Sequence, residues 1–293
     1  MRKKIKPFSL KEPLMLSLLL ILLLIPGSCG KIEAQEAESE SLGSGDTLKF
    51  EDTLSVLPLA DTQNTERKVT NLSFGTGEKL EFKVRWGPIV AGSATMEISE
   101  IIEFKGRKCF RIISTAESNK FFSTFFKVRD RVESFMDKEG LYSLHFEKHI
   151  REGKFKADRY VDFDQENHIA IEEKDTIQVP PFVQDVLSAL YYVRTQPLEV
   201  GKSLFVDNHT DKKNYPIEVK VLRRERVEVE AGTFDCLVVE PILQASGIFE
   251  QKGSLTVWLT DDQKKMPVLM KSKVVIGSIA TELKNYRLGR VGE

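Results

Sequence analysis

Cysteine is scarce, with three residues in 293, at positions 29, 109 and 236. Three cysteines cannot make the disulfide framework of a small secreted domain, and no Cys/His spacing matches a zinc site. Net charge is nearly absent too, with 43 Lys and Arg against 44 Asp and Glu. Binding nucleic acid needs a clustered basic excess, so that class of partner is excluded. No apolar run approaches the roughly 20 residues of a membrane-spanning helix. No phosphate-binding loop, metal motif or nucleophile signature stands out, so no catalytic residue, metal or cofactor is expected.

The N-terminus is a targeting signal. Arg2, Lys3, Lys4 and Lys6 form a basic region, and Leu14 to Ile25 is apolar apart from Ser17. A core of about 12 residues suits a signal peptide. It runs into Pro26-Gly27-Ser28-Cys29, where small residues directly before a cysteine resemble a bacterial lipobox. The expected leucine three residues before the cysteine is replaced by Pro26, with Ile25 one step further out. Cys29 is the expected site of lipidation and the expected link to a membrane. An ordinary signal peptide cut near Ala34 or Ala37, or a retained anchor, are the alternatives.

Three segments follow: a lipoprotein signal peptide over 1–29, an acidic tether over 30–72, and a single β-rich domain over 73–293. The tether holds nine acidic and four basic residues with no sustained apolar period, a composition expected to be disordered. In the body the period is two. Leu80, Phe82, Val84 and Trp86 alternate with Lys79, Glu81, Lys83 and Arg85, and Gly87-Pro88 turns the chain. Short alternating runs recur to Tyr286. The fold class is therefore mainly β, an antiparallel, strongly curved sheet or barrel-like body.

One segment breaks the pattern. After Pro180-Pro181 the stretch from Phe182 carries two adjoining apolar stripes, Phe182/Val186/Leu190/Val193 and Val183/Leu187/Tyr191. A helix over about 182–195, apolar round most of its circumference, belongs in the interior against the concave side of the sheet. Proline in its first turn and Asp185 near that end suit a helix start.

Several stretches together resemble a bacterial family of exported proteins, the domain of unknown function numbered 3108. They are Gly77 to Phe82 with Trp86-Gly87 and Ala91-Gly92, Asp130-Arg131-Val132-Glu133-Ser134, the segment Gln184 to Tyr192, Ala231 to Cys236, and Val257 to Asp262 with Pro267-Val268. The resemblance spans about residues 73–288. It implies a β-rich protein of the cell envelope, near the YmcC-like and lipoprotein-carrier folds, with no known reaction. The address it implies, with Cys29, is an outer-membrane lipoprotein facing the periplasm.

The remaining candidates are weighed against plain structural roles. His145 and His149 are too far apart on one strand for a shared metal ion. Cys109 and Cys236 either pair or remain two buried thiols. The polar positions within the resembling stretches are Asp130, Arg131, Glu133, Asp185, Asp261 and Asp262. An ion-pair row explains the first three, and a turn explains the Asp261-Asp262 pair. Phe121-Phe122 and Phe125-Phe126 belong to the core, or to the lip of an apolar cavity or a membrane-facing loop. If the curved sheet encloses a cavity, its expected wall is Phe82, Trp86, Met96, Ile98, Phe110, Phe163, Trp258 and Met270. The expected function is non-enzymatic, binding or shielding an apolar small molecule, lipoprotein or peptide partner. A packed structural module of the envelope is the alternative, and an enzyme of unrecognised type the third.

Overall fold

In the computed structural model residues 67–243, 255–273 and 277–292 are described. Cys29 and the tether up to residue 66 lie outside them. Among the described residues the alternating runs become strands, with ends that shift by several residues. Leu80, Phe82 and Val84 are buried while Lys79, Glu81 and Lys83 are half-exposed. In chain order the strands are β1 Lys79–Trp86, β2 Ile89–Phe104 and β3 Arg107–Ser118, then helix α1 Lys120–Ser123. β4 Arg129–Asp137, β5 Ser143–Glu152, β6 Phe155–Asp164, β7 Ile169–Glu172 and β8 Asp175–Gln178 lead to helix α2 Val186–Thr195. β9 Ser203–Val206, β10 His209–Thr210, β11 Lys213–Asn214, β12 Ile217–Val229, β13 Gly232–Leu243, β14 Leu255–Thr260, β15 Pro267–Lys273 and β16 Ser278–Arg287 complete the chain.

Fourteen strands form one antiparallel sheet in the order β8-β7-β6-β5-β4-β3-β2-β1-β16-β15-β14-β13-β12-β9. Two meanders are thus joined where β1 pairs with β16, Leu80 opposite Tyr286 and Val84 opposite Thr281. An open sheet rarely exceeds about ten strands without curling. Here register shifts between Ile98 and Glu100 and between Val221 and Arg223 bend the longest strands. The edge strands β8 and β9 come at the two ends of the curl. Between them Gln184 and Asn208 form a parallel bridge, with the Gln184 amide donating to Asp207 and the His209 amide to Gln184.

The helix begins later than the sequence pattern suggests, at Val186 rather than Phe182. Phe182 takes a left-handed backbone conformation, φ 57°, that cannot continue into a helix. Asp185 is the N-cap, its carboxylate accepting from the Leu187 and Ser188 amides at 2.8 and 2.9 Å. The Ser188 hydroxyl accepts from the Asp185 amide at 3.0 Å, completing a capping box. Phe182 instead packs against Tyr142, ring centroids 5.5 Å apart.

The last residues of the segment read as tether belong to the body. Arg67 donates to the carbonyls of Gly140 and Leu141 at 2.7 and 2.9 Å and lies over the rings of Phe182 and Tyr192. The Val69 amide donates to Glu139. An acidic, polar composition concealed these contacts, because backbone and cation–π partners leave no apolar period. Further on, Gly75 and Gly289 cross so closely that a Cβ on Gly289 would lie 2.0 Å from the Gly75 carbonyl oxygen.

At the C-terminal end of α2 the side chains of Arg194 and Glu78 are both fully buried. They pair through two contacts, Nη1 to Oε1 at 2.7 Å and Nη2 to Oε2 at 2.8 Å. Arg194 Nε also donates to the Lys264 carbonyl at 3.1 Å, and its guanidinium lies 4.9 Å from the Tyr191 ring centroid. Burial opposes its charge, but Glu78 outweighs burial and raises its pKa. Removing one partner of such a pair strands a charge in the interior, a cost of about 3–5 kcal/mol. Arg194→Met should therefore lose about that much in urea unfolding, and Arg194→Met with Glu78→Leu should recover most of it. A single variant as stable as the parent would show that the pair does not hold the helix.

Candidate functional site

The strands β1, β2 and β12 to β16 turn their buried residues toward α2. Packing is incomplete there. A cavity of about 80 Å³ lies between the helix and the sheet. The helix contributes Val186, Leu187, Ala189, Leu190 and Val193, and the sheet answers with Ile217, Val219, Val257, Leu259 and their neighbours. Two hydroxyls interrupt the apolar lining. Ser114 donates to the Thr95 carbonyl at 2.9 Å. Thr281 Oγ1 is buried without a hydrogen-bond partner among the described residues, a polar handle in an otherwise apolar wall. Among the described lining residues, Leu190, Pro241 and Leu255 are partly exposed, and they lie on α2 and at the ends of β13 and β14.

Of the eight expected wall residues, the structure gathers Phe82, Met96 and Met270 around this cavity. The others lie elsewhere. Ile98 is in the packed core, and Phe110 meets Phe74 edge-on at 5.5 Å. Phe163 stands edge-on to His209 at 5.9 Å. Trp86 ends β1 half-buried, 6.0 Å from Phe122. Trp258 falls between Val257 and Leu259, which do line the cavity, and Lys271 lies over its ring. Alternation identifies the buried face of a strand but not which stretch of that face meets a void. The walls that sequence reasoning missed are the helical ones, Ala189 above all, and sheet residues such as Ile217, Val219, Val257 and Leu259. A small residue on an apolar helix was the available signal.

The six polar positions do not converge. Asp130, buried on the concave face of β4, accepts from the Arg151 amide at 2.8 Å, and burial raises its pKa. Arg131 and Glu133 pair on the opposite face, where Arg111 also donates to Glu133 at 2.9 Å. Burial works against the Glu133 carboxylate, yet the two arginines hold its pKa below the usual value. Asp185 caps α2 and reaches further. Ser134 on β4 and Ser143 on β5 each donate to its other oxygen at 2.6 Å. Burial nevertheless raises its pKa. Asp261 pairs with Arg224 at 2.6 Å. Asp262 closes a turn, accepting from the Lys264 and Lys265 amides and from Thr260.

Cys109 on β3 and Cys236 on β13 are two free, buried thiols. Burial pushes both up to about 12, so neither is a nucleophile at neutral pH. Among the described residues no group of His, Cys, Asp and Glu is arranged to hold a metal ion.

The family comparison covers this whole architecture. Residues 81–284, from β1 into β16, match the family described as "Protein of unknown function (DUF3108)". The chain belongs to this family. No curated protein matches it. Among solved structures, a β-barrel-like protein of the DUF1849 domain from Brucella abortus is similar at 9% identity with a TM-score of 0.53, over 74% of this chain and all of that one. At that identity the likeness is one of fold. A candidate lipoprotein from Parabacteroides distasonis (9% identity, TM-score 0.35, 76% of this chain and all of that one) is a weaker match. So is a candidate exported protein with a YmcC-like fold from Bacteroides fragilis (12%, 0.28, 75% and 99%).

The histidines on β5 join a charged row on the outer face of the sheet. His145 meets Asp162 at 2.5 Å and Glu147 at 3.0 Å, while His149 meets the other Glu147 oxygen at 3.2 Å and Asp158 at 2.7 Å. Burial disfavours the His145 imidazolium, but the Asp162 and Glu147 hydrogen bonds outweigh it and raise its pKa above 6.5. Such a group stabilises the fold fully below its unfolded pKa, and the contribution fades as pH rises through the folded value. His145→Gln should thus cost stability at pH 6 and progressively less as pH rises above 7, read from paired urea midpoints. A difference independent of pH would remove the charged pair from the account.

Proposed function

We propose that this is a non-enzymatic protein of the bacterial cell envelope, held to the outer membrane through Cys29 and facing the periplasm, whose cavity under α2 receives the end of an apolar chain. The observation that carries this reading is the cavity itself, apolar except for Ser114 and Thr281 and walled on one side by a single helix. Apolar voids stay dry and take apolar guests. Size limits the guest. At about 80 Å³ the space is well below a drug-sized pocket of roughly 300 Å³ or more. It suits the tip of an acyl chain, with the rest of the amphiphile leaving past Leu190 and Leu255. Thr281 Oγ1 offers one hydrogen bond to such a guest.

The same small volume favours a second reading, a packed envelope module that works through a partner at its surface. Guest binding separates the two. The protein expressed with its own leader should carry extractable lipid, and should bind cis-parinaric acid after delipidation. Ala189→Leu fills the cavity and should weaken that binding about tenfold with the fold intact, as read by circular dichroism. Protein that emerges lipid-free and ignores the probe belongs to the packed reading.

Attachment is a separate test. The small-small-Cys step after the apolar run motivates it, and two or three acyl chains hold a protein firmly where one does not. Cys29→Ala should move the protein from the detergent fraction to the soluble periplasm. A parent already soluble, with its N-terminus mapped beyond Cys29, would sink the anchor.

A further inference from the structure

The four phenylalanines around Ser123 divide in an unexpected way. Phe122 packs into the core, whereas Phe121 is 63% exposed and Phe125 76% exposed. Asn119 caps α1 through the Phe122 amide and donates to the Val90 carbonyl, fixing the helix against the start of β2. Val90 and Ile89 are themselves exposed. On the other side the Gly153 amide donates to Lys127, joining the β5–β6 turn to the same end of the sheet. That turn carries Lys154, Phe155 and Lys156, all exposed. The fold thus holds several large apolar side chains out in solvent on one end, where nothing in their packing demands it.

Charge is segregated at this end as well. Lys120, Lys127, Lys154 and Lys156 are exposed, and none makes an ion pair among the described residues. The acids nearby are engaged or buried. Glu117 is 3.6 Å from Arg129, Asp158 is held by Arg151 and His149, and Asp130 and Glu152 lie in the interior. Lys127, Arg129, Arg151 and Lys156 surround a surface hollow of about 390 Å³. A chain neutral as a whole therefore presents a local basic field around projecting aromatic rings.

We propose that this end of the body docks on the surface of an anionic phospholipid bilayer, Phe121 and Phe125 entering the interface and the lysines meeting lipid phosphates. Aromatic side chains ringed by lysine suit the boundary between headgroup and acyl chain, where each Lys stem can lie along apolar surface and its ammonium stay in water. A basic cluster is attracted to an anionic leaflet and adds to apolar insertion. The Phe121 and Phe125 rings meet edge-on, 5.4 Å apart at 69°, and so offer no parallel faces for stacked bases. The contact is distinct from the Cys29 anchor and from the cavity under α2.

The test uses the full chain with Phe125→Trp, mixed with vesicles of phosphatidylglycerol or of phosphatidylcholine carrying brominated acyl chains. The parent protein supplies the Trp86 and Trp258 background. Emission from position 125 should shift to the blue and fall by roughly half in brominated phosphatidylglycerol, and hardly change in phosphatidylcholine. About 0.5 M salt should suppress the effect. Lys127→Glu/Lys154→Glu/Lys156→Glu should abolish it while leaving parinaric acid binding as in the parent. Emission unchanged by phosphatidylglycerol overturns the proposal, whether the patch then serves a protein partner or none. So does quenching that survives the triple charge reversal, since an N-terminal attachment alone would then account for proximity.

Discussion

The structure depends on one helix pinned at both ends across the inside of a curled sheet. At its start, Asp185 binds two amides of its own helix and the Ser134 and Ser143 hydroxyls of neighbouring strands. At its end, Arg194 holds Glu78 just before β1, and the Ser73 hydroxyl donates to the Arg194 carbonyl at 2.8 Å. Both anchors are buried and charged or charge-assisted, which makes them directional where apolar packing is not. An apolar helix against an apolar concave face could slide or rotate at little cost. Two fixed polar points, Asp185 directly before the helix and Arg194 in its last turn, remove that freedom.

Pinning also explains why a void survives. A sheet of fourteen strands curls more widely than one short helix can fill. A helix free to move would settle onto the sheet, and the lining would close around it. Held by Asp185 on the β4–β5 side and by Glu78 and the Lys264 carbonyl at its other end, α2 meets β12 to β15 through apolar side chains along its middle, and the cavity lies there. The unpartnered Thr281 hydroxyl sits in that same gap. The candidate site and the least completely packed part of the interior are therefore one place.

The fold was largely legible because period-two burial is a local property. Strands such as 79–86 and 278–287 could be read from their own residues. The pairing that joins them, first strand against last, could not, because antiparallel partners at that separation leave no mark within either segment. The helix starts four residues later than proline and apolar spacing suggest, because the start is set by the reciprocal Asp185 and Ser188 capping bonds rather than by apolar period. Among site residues, Asp185 was singled out and Glu78 was not. A glutamate ahead of a strand resembles many surface glutamates, and only its distance to Arg194 in space sets it apart. The cavity wall was legible as a face but not as a place, so Phe110 and Phe163 were grouped with Phe82 although they fill other parts of the core.

Orientation follows from where the chain enters. Arg67 is fastened to the carbonyls of Gly140 and Leu141, beyond the C-terminal end of β4. The exposed phenylalanines lie before the N-terminal end of that strand, on α1 and its flanks. Nine residues of strand set the two about 30 Å apart. An anchor at Cys29 would join the body through residues 30–66, which can extend over roughly 120 Å. That contour is about four times the roughly 30 Å between the two ends of β4, so an anchored chain can still turn its aromatic end back to the membrane that holds it. Attachment at one end of β4 and docking at the other are then compatible on a single surface. The long, acidic segment between Cys29 and the body would be repelled by an anionic leaflet even as the basic end is drawn to it. Opposite charge at the two ends thus gives the body a preferred way to face.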